Sequence, residues 1–356
     1  MRTLAALLVA FVLTLAARAQ QKEPWLKAGD VVALVGGEDM VALAEEGWLE
    51  TLVTWAQPQD RIRFRSLAWE GDTVFEQRRD LNYPAIETQL DRMGATVVLC
   101  QFGKMESFAG KEGVAAFTEA YGKLLERLNL HGKRRVSIVL PTRFGSARPP
   151  LGVSWRVPRN GDTEHIDPLL RPEKPLLLPD FKVQDASLLI YSDAIRSLAV
   201  KHGGRVFNME APPSHISWLV YDIGWGFHIV PARQRVPLYY TNKIYSTRDG
   251  IHLDPFSHLC FAATLLEENL SVERSVPEGG SPIDPLRAAI AAKNRLWFHY
   301  TRPQNWAFLA GNRTNQPSSR DHLDPTKRWF PEEMEEWLPL IEAKEQEIWK
   351  LAAVPR

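Results

Sequence analysis

Apolar residues recur along this chain with two different spacings. Short, nearly continuous apolar runs at 31–35, 62–67, 96–100, 136–140 and 205–208 read as strands buried on both faces of a sheet. Between and after them, apolar positions return every three or four residues over 40–55, 84–93, 114–128, 185–200 and 255–269, the spacing of amphipathic helices. Pro84 stands near the start of its segment, where proline is tolerated. Strands alternating with helices predict an α/β protein, a three-layer α/β/α sandwich around a parallel sheet. In such sheets the turns after the C-terminal strand ends line the site.

Two stretches break the pattern. Residues 143–179 are proline-rich and 212–248 aromatic, and neither has a period; a long unpatterned loop in a compact domain is often functional. From 277 onward the character changes again. A helical segment at 285–297 leads into a polar, aromatic loop over 300–330, and an acidic amphipathic helix spans 331–351.

The N-terminus carries Arg2, then an apolar run over 4–17, then Ala17-Arg18-Ala19. A charged start, a short apolar core and a small-x-small cleavage site make residues 1–19 a signal peptide, with export to the periplasm or outside the cell. The run is short for a membrane span, so the chain is expected to have no integral span after cleavage. The predicted organisation is a signal peptide at 1–19, an α/β domain at 20–275 and a Trp-rich helical extension at 276–356, expected to pack on that domain.

Charge and cysteine content narrow the function classes. Lys+Arg and Asp+Glu are equal at 43 each, which gives no support for binding nucleic acid or an anionic membrane. Cys100 and Cys260 are expected to be buried free thiols. His165 with Glu164 and Asp167, and His322 with Asp321 and Asp324, lack recognised ligand spacing. Neither a metal nor a cofactor is expected.

The chemistry-bearing residues sit in turns after the strands. Gly36-Gly37-Glu38 follows the first, Leu67-Ala68-Trp69-Glu70-Gly71-Asp72-Thr73 the second, and Phe102-Gly103-Lys104-Met105-Glu106-Ser107-Phe108 the third. Asp249-Gly250-Ile251-His252 precedes the helix at 255–269. An Asp three residues before a His can orient the imidazole as a base, although that spacing alone is common in surface loops.

The ordered set resembles the SGNH (GDSL-type) hydrolases over residues 30–270. Those proteins carry Gly-Asp-Ser after the first strand, Gly after the second, Gly-x-Asn after the third and Asp-x-x-His near the C-terminus. The resemblance implies ester hydrolysis, with His252 as base, Asp249 as its orienter, and the Gly37 and Gly71 backbones as oxyanion donors. Two departures stand out: Glu38 occupies the position of the nucleophilic Ser, and Met105 that of the oxyanion-hole Asn. A thioether donates no hydrogen bond, and one lost oxyanion donor costs about 3–4 kcal/mol of transition-state stabilisation. Glu38 would then position or activate water, since carboxylate attack on an ester passes through an anhydride. Ser66 and Ser107 lie near the turns but outside the one that faces His252.

Trp69, Arg302 and Asn305 are the candidate substrate-binding residues, suited to a small-molecule or carbohydrate ester. Two readings stay open: an exported ester hydrolase deacylating carbohydrate, and a catalytically inactive SGNH-fold module binding carbohydrate or another exported partner.

Overall fold

The computed structural model describes residues 24–129, 132–145, 180–209, 215–216, 238–239, 247, 249–253, 255–267 and 283–353. The expected signal peptide, most of the loop at 143–179 and most of the stretch at 212–248 lie outside the described residues.

Five strands form one parallel sheet: β1 (Val31–Gly36), β2 (Arg63–Ser66), β3 (Val97–Gln101), β4 (Arg135–Val139) and β5 (Arg205–Phe207), in the order β2-β1-β3-β4-β5. The connecting helices are α1 (Glu38–Glu46), α2 (Trp48–Ala56), α3 (Ile86–Arg92), α4 (Val114–Asn129), α5 (Lys182–His202) and α6 (Pro255–Glu267). The extension supplies α7 (Ile283–Thr301), the one-turn α8 (Trp306–Leu309) and α9 (Trp329–Ala352). His215–Ile216 and Leu238–Tyr239 form a small antiparallel pair, β6 and β7.

Side-chain alternation along the strands divides the interior into two cores. Val32 and Leu34 of β1 and Val97 and Leu99 of β3 face a core shared with α1, α2 and α6. Ala33, Val35, Val98 and Cys100 face the other, with α3, α4 and α5. The molecule is therefore a three-layer α/β/α sandwich. Ile283, Leu286 and Ile290 of α7 and Ile348 and Trp349 of α9 belong to the first core, so the extension adds to the hydrophobic interior.

The extension also covers an open sheet edge. β2 pairs only with β1, which leaves outward carbonyls that would otherwise template another strand. The Phe64 carbonyl accepts from Lys293 Nζ at 3.1 Å, and the Ser66 carbonyl accepts from the Trp297 indole N–H at 2.8 Å. Lys293, with no exposed side-chain area, also pairs with the buried Glu50 of α2 at 2.8 Å. Beside them Arg65 pairs with Glu345 of α9, whose other oxygen accepts from Arg63 Nε at 2.8 Å.

One local expectation is corrected. The apolar period over 40–55 continues through Gly47, yet the chain forms two helices, because Gly47 adopts a left-handed φ of 68° that ends α1 and starts α2. Cys100 and Cys260 are both free and buried, and burial pushes the Cys100 thiol up to about 12.

Candidate functional site

The strand order reverses direction between β1 and β3, where a parallel sheet opens a crevice at its C-terminal edge. Gly36 ends β1 with a φ of +150°, and a Cβ there would stand 2.5 Å from the Gln101 carbonyl oxygen of β3. Only glycine lets the two strands stay paired through that turn. Gly37 next to it has φ −89°, so the positive-φ explanation for a glycine applies to Gly36 and to Gly71 (φ +79°) but not to Gly37.

Asp249 and His252 meet. The Asp249 Oδ2 to His252 Nδ1 distance is 2.5 Å. The second carboxylate oxygen accepts the Ile251 and His252 backbone N–H groups at 3.0 and 2.8 Å. Burial alone would raise the Asp249 pKa, but these bonds and the ring outweigh it and hold the carboxyl at about 2, against an ordinary 3.8. A value depressed on folding gives stability that is complete above the unfolded value and is lost as pH falls through about 2. A carbon-detected titration of the Asp249 carboxyl is therefore expected to show a midpoint near 2 in the wild type, moving toward 3.8 in His252→Ala; a wild-type midpoint already near 3.8 contradicts the pairing.

Glu38 meets Gly71. The Gly71 N–H donates to Glu38 Oε1 at 3.3 Å, so one of the two expected oxyanion donors already serves the carboxylate that replaces the serine. Glu38 and His252 are not hydrogen-bonded or ion-paired with one another among the described contacts.

Lys104 carries the main surprise. Its ammonium lies 3.4 Å from both Asp39 oxygens and donates to Thr142 Oγ1 at 2.9 Å and the Ile251 carbonyl at 2.7 Å. Thr142 in turn donates to Asp39 at 2.9 Å. A single ammonium thus holds the residue after Glu38, the segment that follows β4 and the residue before His252. The His252 loop is further tied by Gly145 N–H to the Gly250 carbonyl at 2.6 Å.

Glu106 performs the same service for the middle turns. Its two oxygens accept the Val74 and Gly103 N–H groups at 2.8 Å each; burial pushes its pKa up, those backbone donors oppose the rise, and the nearby Glu38 charge adds to it. Neither residue is among the site residues expected from sequence, where Glu106-Ser107 reads as helix-start chemistry. The legible signals were a lysine inside a glycine turn and a glutamate three residues after the turn glycine.

Both alternative nucleophiles are committed elsewhere. Ser107 is buried and its hydroxyl donates to the Lys104 carbonyl at 2.7 Å. The Ser66 hydroxyl accepts the Ala68 N–H at 3.3 Å. Asp39, the next residue after Glu38, is buried and bonded to Lys104 and Thr142.

The expected substrate-binding group is differently employed. Guanidinium groups of Arg79 and Arg302 lie over the Trp69 ring at 4.1 and 4.7 Å. Arg302 also donates to the Ala68 carbonyl and pairs with Glu70 at 2.8 Å, while Arg79 forms a two-pronged pair with Asp72 at 2.7 Å. Trp69 and Arg302 therefore strap the extension to the second turn through ring stacking and the Arg302 guanidinium bonds. The Asn305 carbonyl starts α8, and its exposed side chain makes no hydrogen bond among the described residues.

Of the metal-capable groups, His165, Glu164 and Asp167 lie outside the described residues. Asp321 Oδ1 accepts the Leu323 and Asp324 N–H groups at 2.7 and 3.3 Å, which turns the loop. No group of three metal-binding side chains occurs among the described residues, and no described helix is long and apolar enough to cross a membrane.

No protein-family model and no curated protein matches the sequence. Solved structures do resemble the chain. An acetyl xylan esterase is 15% identical with a TM-score of 0.40, covering 67% of this chain and 100% of that one. A carbohydrate acetylesterase from Sinorhizobium meliloti is 12% identical with a TM-score of 0.38, covering 67% and 98%. A gut microbial diltiazem-metabolizing enzyme is 15% identical with a TM-score of 0.44, covering 70% of this chain but only 49% of its own length, so the chain spans about half of that protein. A member of the lipolytic G-D-S-L family from Veillonella parvula, 11% identical with a TM-score of 0.34, and a putative SGNH hydrolase from Slackia heliotrinireducens, 14% identical with a TM-score of 0.36, are also among them.

Proposed function

We propose that this chain is an exported hydrolase of the SGNH type that cleaves acyl esters, deacylating carbohydrate, by direct attack of water. His252 takes the proton from that water and returns it to the alcohol oxygen as the ester C–O bond breaks, Asp249 holds the imidazole and balances the charge it gains meanwhile, and Glu38 orients the water from the first turn. The observation that carries the reading is the Asp249–His252 pair at 2.5 Å, on a loop that Lys104 fastens to the first turn. A base needs a fixed tautomer and direction, and that arrangement supplies both. Direct water attack is supported by the placement of the two candidate hydroxyls among the described residues, since Ser66 and Ser107 are bonded within the turns.

A second reading, a non-catalytic binding module, has one observation in its favour: the Gly71 N–H already serves Glu38, so an ester oxygen meets no open donor there unless Glu38 moves.

Glu38→Gln separates the two. The amide keeps an oxygen for Gly71 but loses the charge that orders water. The expected result is a fall in kcat/KM for aryl acetates and acetylated xylan of about a hundredfold, within the range of acid–base contributions. Unchanged activity removes Glu38 from the chemistry. Absence of wild-type turnover together with saturable glycan binding favours the binding module.

A further inference from the structure

A second cavity, remote in chemistry from the His252 site, lies between the β2 edge, α3 and the extension. Its volume is about 780 Å³, within the range of small-molecule sites. Tyr83, Trp297, Tyr300 and Trp306 line it, and three of them spend their polar atoms on the protein. The Trp297 N–H donates to the Ser66 carbonyl and the Trp306 N–H to the Leu81 carbonyl, both at 2.8 Å, while the Tyr83 hydroxyl reaches the Thr301 carbonyl at 2.6 Å. What these residues offer the cavity is ring surface.

The charged groups at the wall divide into spent and unspent. Arg63, Arg65 and Glu342 are engaged in ion pairs with the extension. Arg92 and Glu335 also line the cavity, are exposed, and have no ion pair among the described residues. Both act on Tyr300: burial raises its hydroxyl pKa, Glu335 adds to the rise and Arg92 opposes it. Pro339, inside α9 and on the same wall, has no N–H, so the Glu335 carbonyl one turn back loses its helical partner. At the wall Glu335 offers an acceptor carboxylate, while Arg92 offers donors only.

We propose that this cavity binds a free amino acid with a large apolar side chain. Its carboxylate pairs with Arg92, its ammonium with Glu335, and its side chain lies among the four rings. A zwitterion matches one unpaired charge of each sign, whereas a simple acid or a simple amine leaves one of them facing the ligand unmatched.

Isothermal titration of the full chain tests this with four probes: L-phenylalanine, 3-phenylpropanoate, phenethylamine and N-acetyl-phenylalanine amide. The expected result is saturable binding of L-phenylalanine, with each of the other three at least about tenfold weaker. Arg92→Gln is expected to weaken L-phenylalanine and leave phenethylamine unchanged; Glu335→Gln is expected to weaken L-phenylalanine and leave 3-phenylpropanoate unchanged. Both residues are exposed, so neither change threatens folding. The proposal is overturned by no saturable L-phenylalanine binding, by equal affinity for all four probes, or by variants that bind as the wild type does. None of these outcomes depends on ester hydrolysis.

Discussion

His252→Ala is expected to lower kcat/KM for aryl acetates by about 10²–10⁴-fold, the usual contribution of a positioned general base. The His252 ring is committed on one side. Nδ1 is held by Asp249 at 2.5 Å, which leaves Nε2 as the nitrogen able to accept a proton from water. Asp249→Asn should bring a loss of similar kind, because an amide can hold the ring in the wrong tautomer. Asp249 and His252 are both substantially exposed, so His252→Ala should shift the unfolding midpoint little, while Asp249→Asn should cost a modest part of the stability that its depressed pKa carries. Steady-state kinetics beside a denaturation curve check the pair of expectations. A large loss of stability in either variant contradicts a purely chemical role.

Lys293→Met is expected to cost about 3–5 kcal/mol of folding stability, read from urea denaturation, because it strands a buried partner. Lys293 and Glu50 have side-chain exposures of 0% and 6%, and burial pushes the Glu50 pKa up while Lys293 and Arg65 pull it down. Burial likewise lowers the Lys293 pKa, with Glu50 opposing. Removing the ammonium also leaves the Phe64 carbonyl on the sheet edge with Arg65 as its remaining donor, at 2.9 Å. Adding Glu50→Leu should recover much of the loss, since replacing a whole buried pair by apolar groups is often neutral. A single substitution without measurable cost contradicts the view that the extension seals the edge of β2.

The sheet was legible because buried parallel strands write themselves as short apolar runs; 31–35 became Val31–Gly36 and 96–100 became Val97–Gln101. Gly47 was legible as a residue but not as a break, because the amphipathic period resumes in phase on its far side. The Asp249–His252 pair was legible because its partners are three residues apart, within one turn of chain. Lys104 was not, since its partners lie 65, 38 and 147 residues away, and a lysine inside a glycine turn does not by itself say which loops converge on it. Trp69 and Arg302 show the converse. Aromatic and guanidinium groups in a polar loop suggested ligand contacts, but 233 positions of separation conceal that they stack on one another at 4.7 Å.

Glu38 is where sequence and structure together sharpen the question most. Its position in the serine turn was readable; its bond to the Gly71 N–H depends on a side-chain direction that sequence does not encode. The account makes Glu38 and His252 act on water with no acyl group resting on the chain. Intact-protein mass spectrometry on samples quenched during aryl acetate turnover tests that claim directly. The account predicts steady hydrolysis with the chain unmodified throughout; an acetylated chain during turnover, or hydrolysis no faster than in buffer, contradicts it.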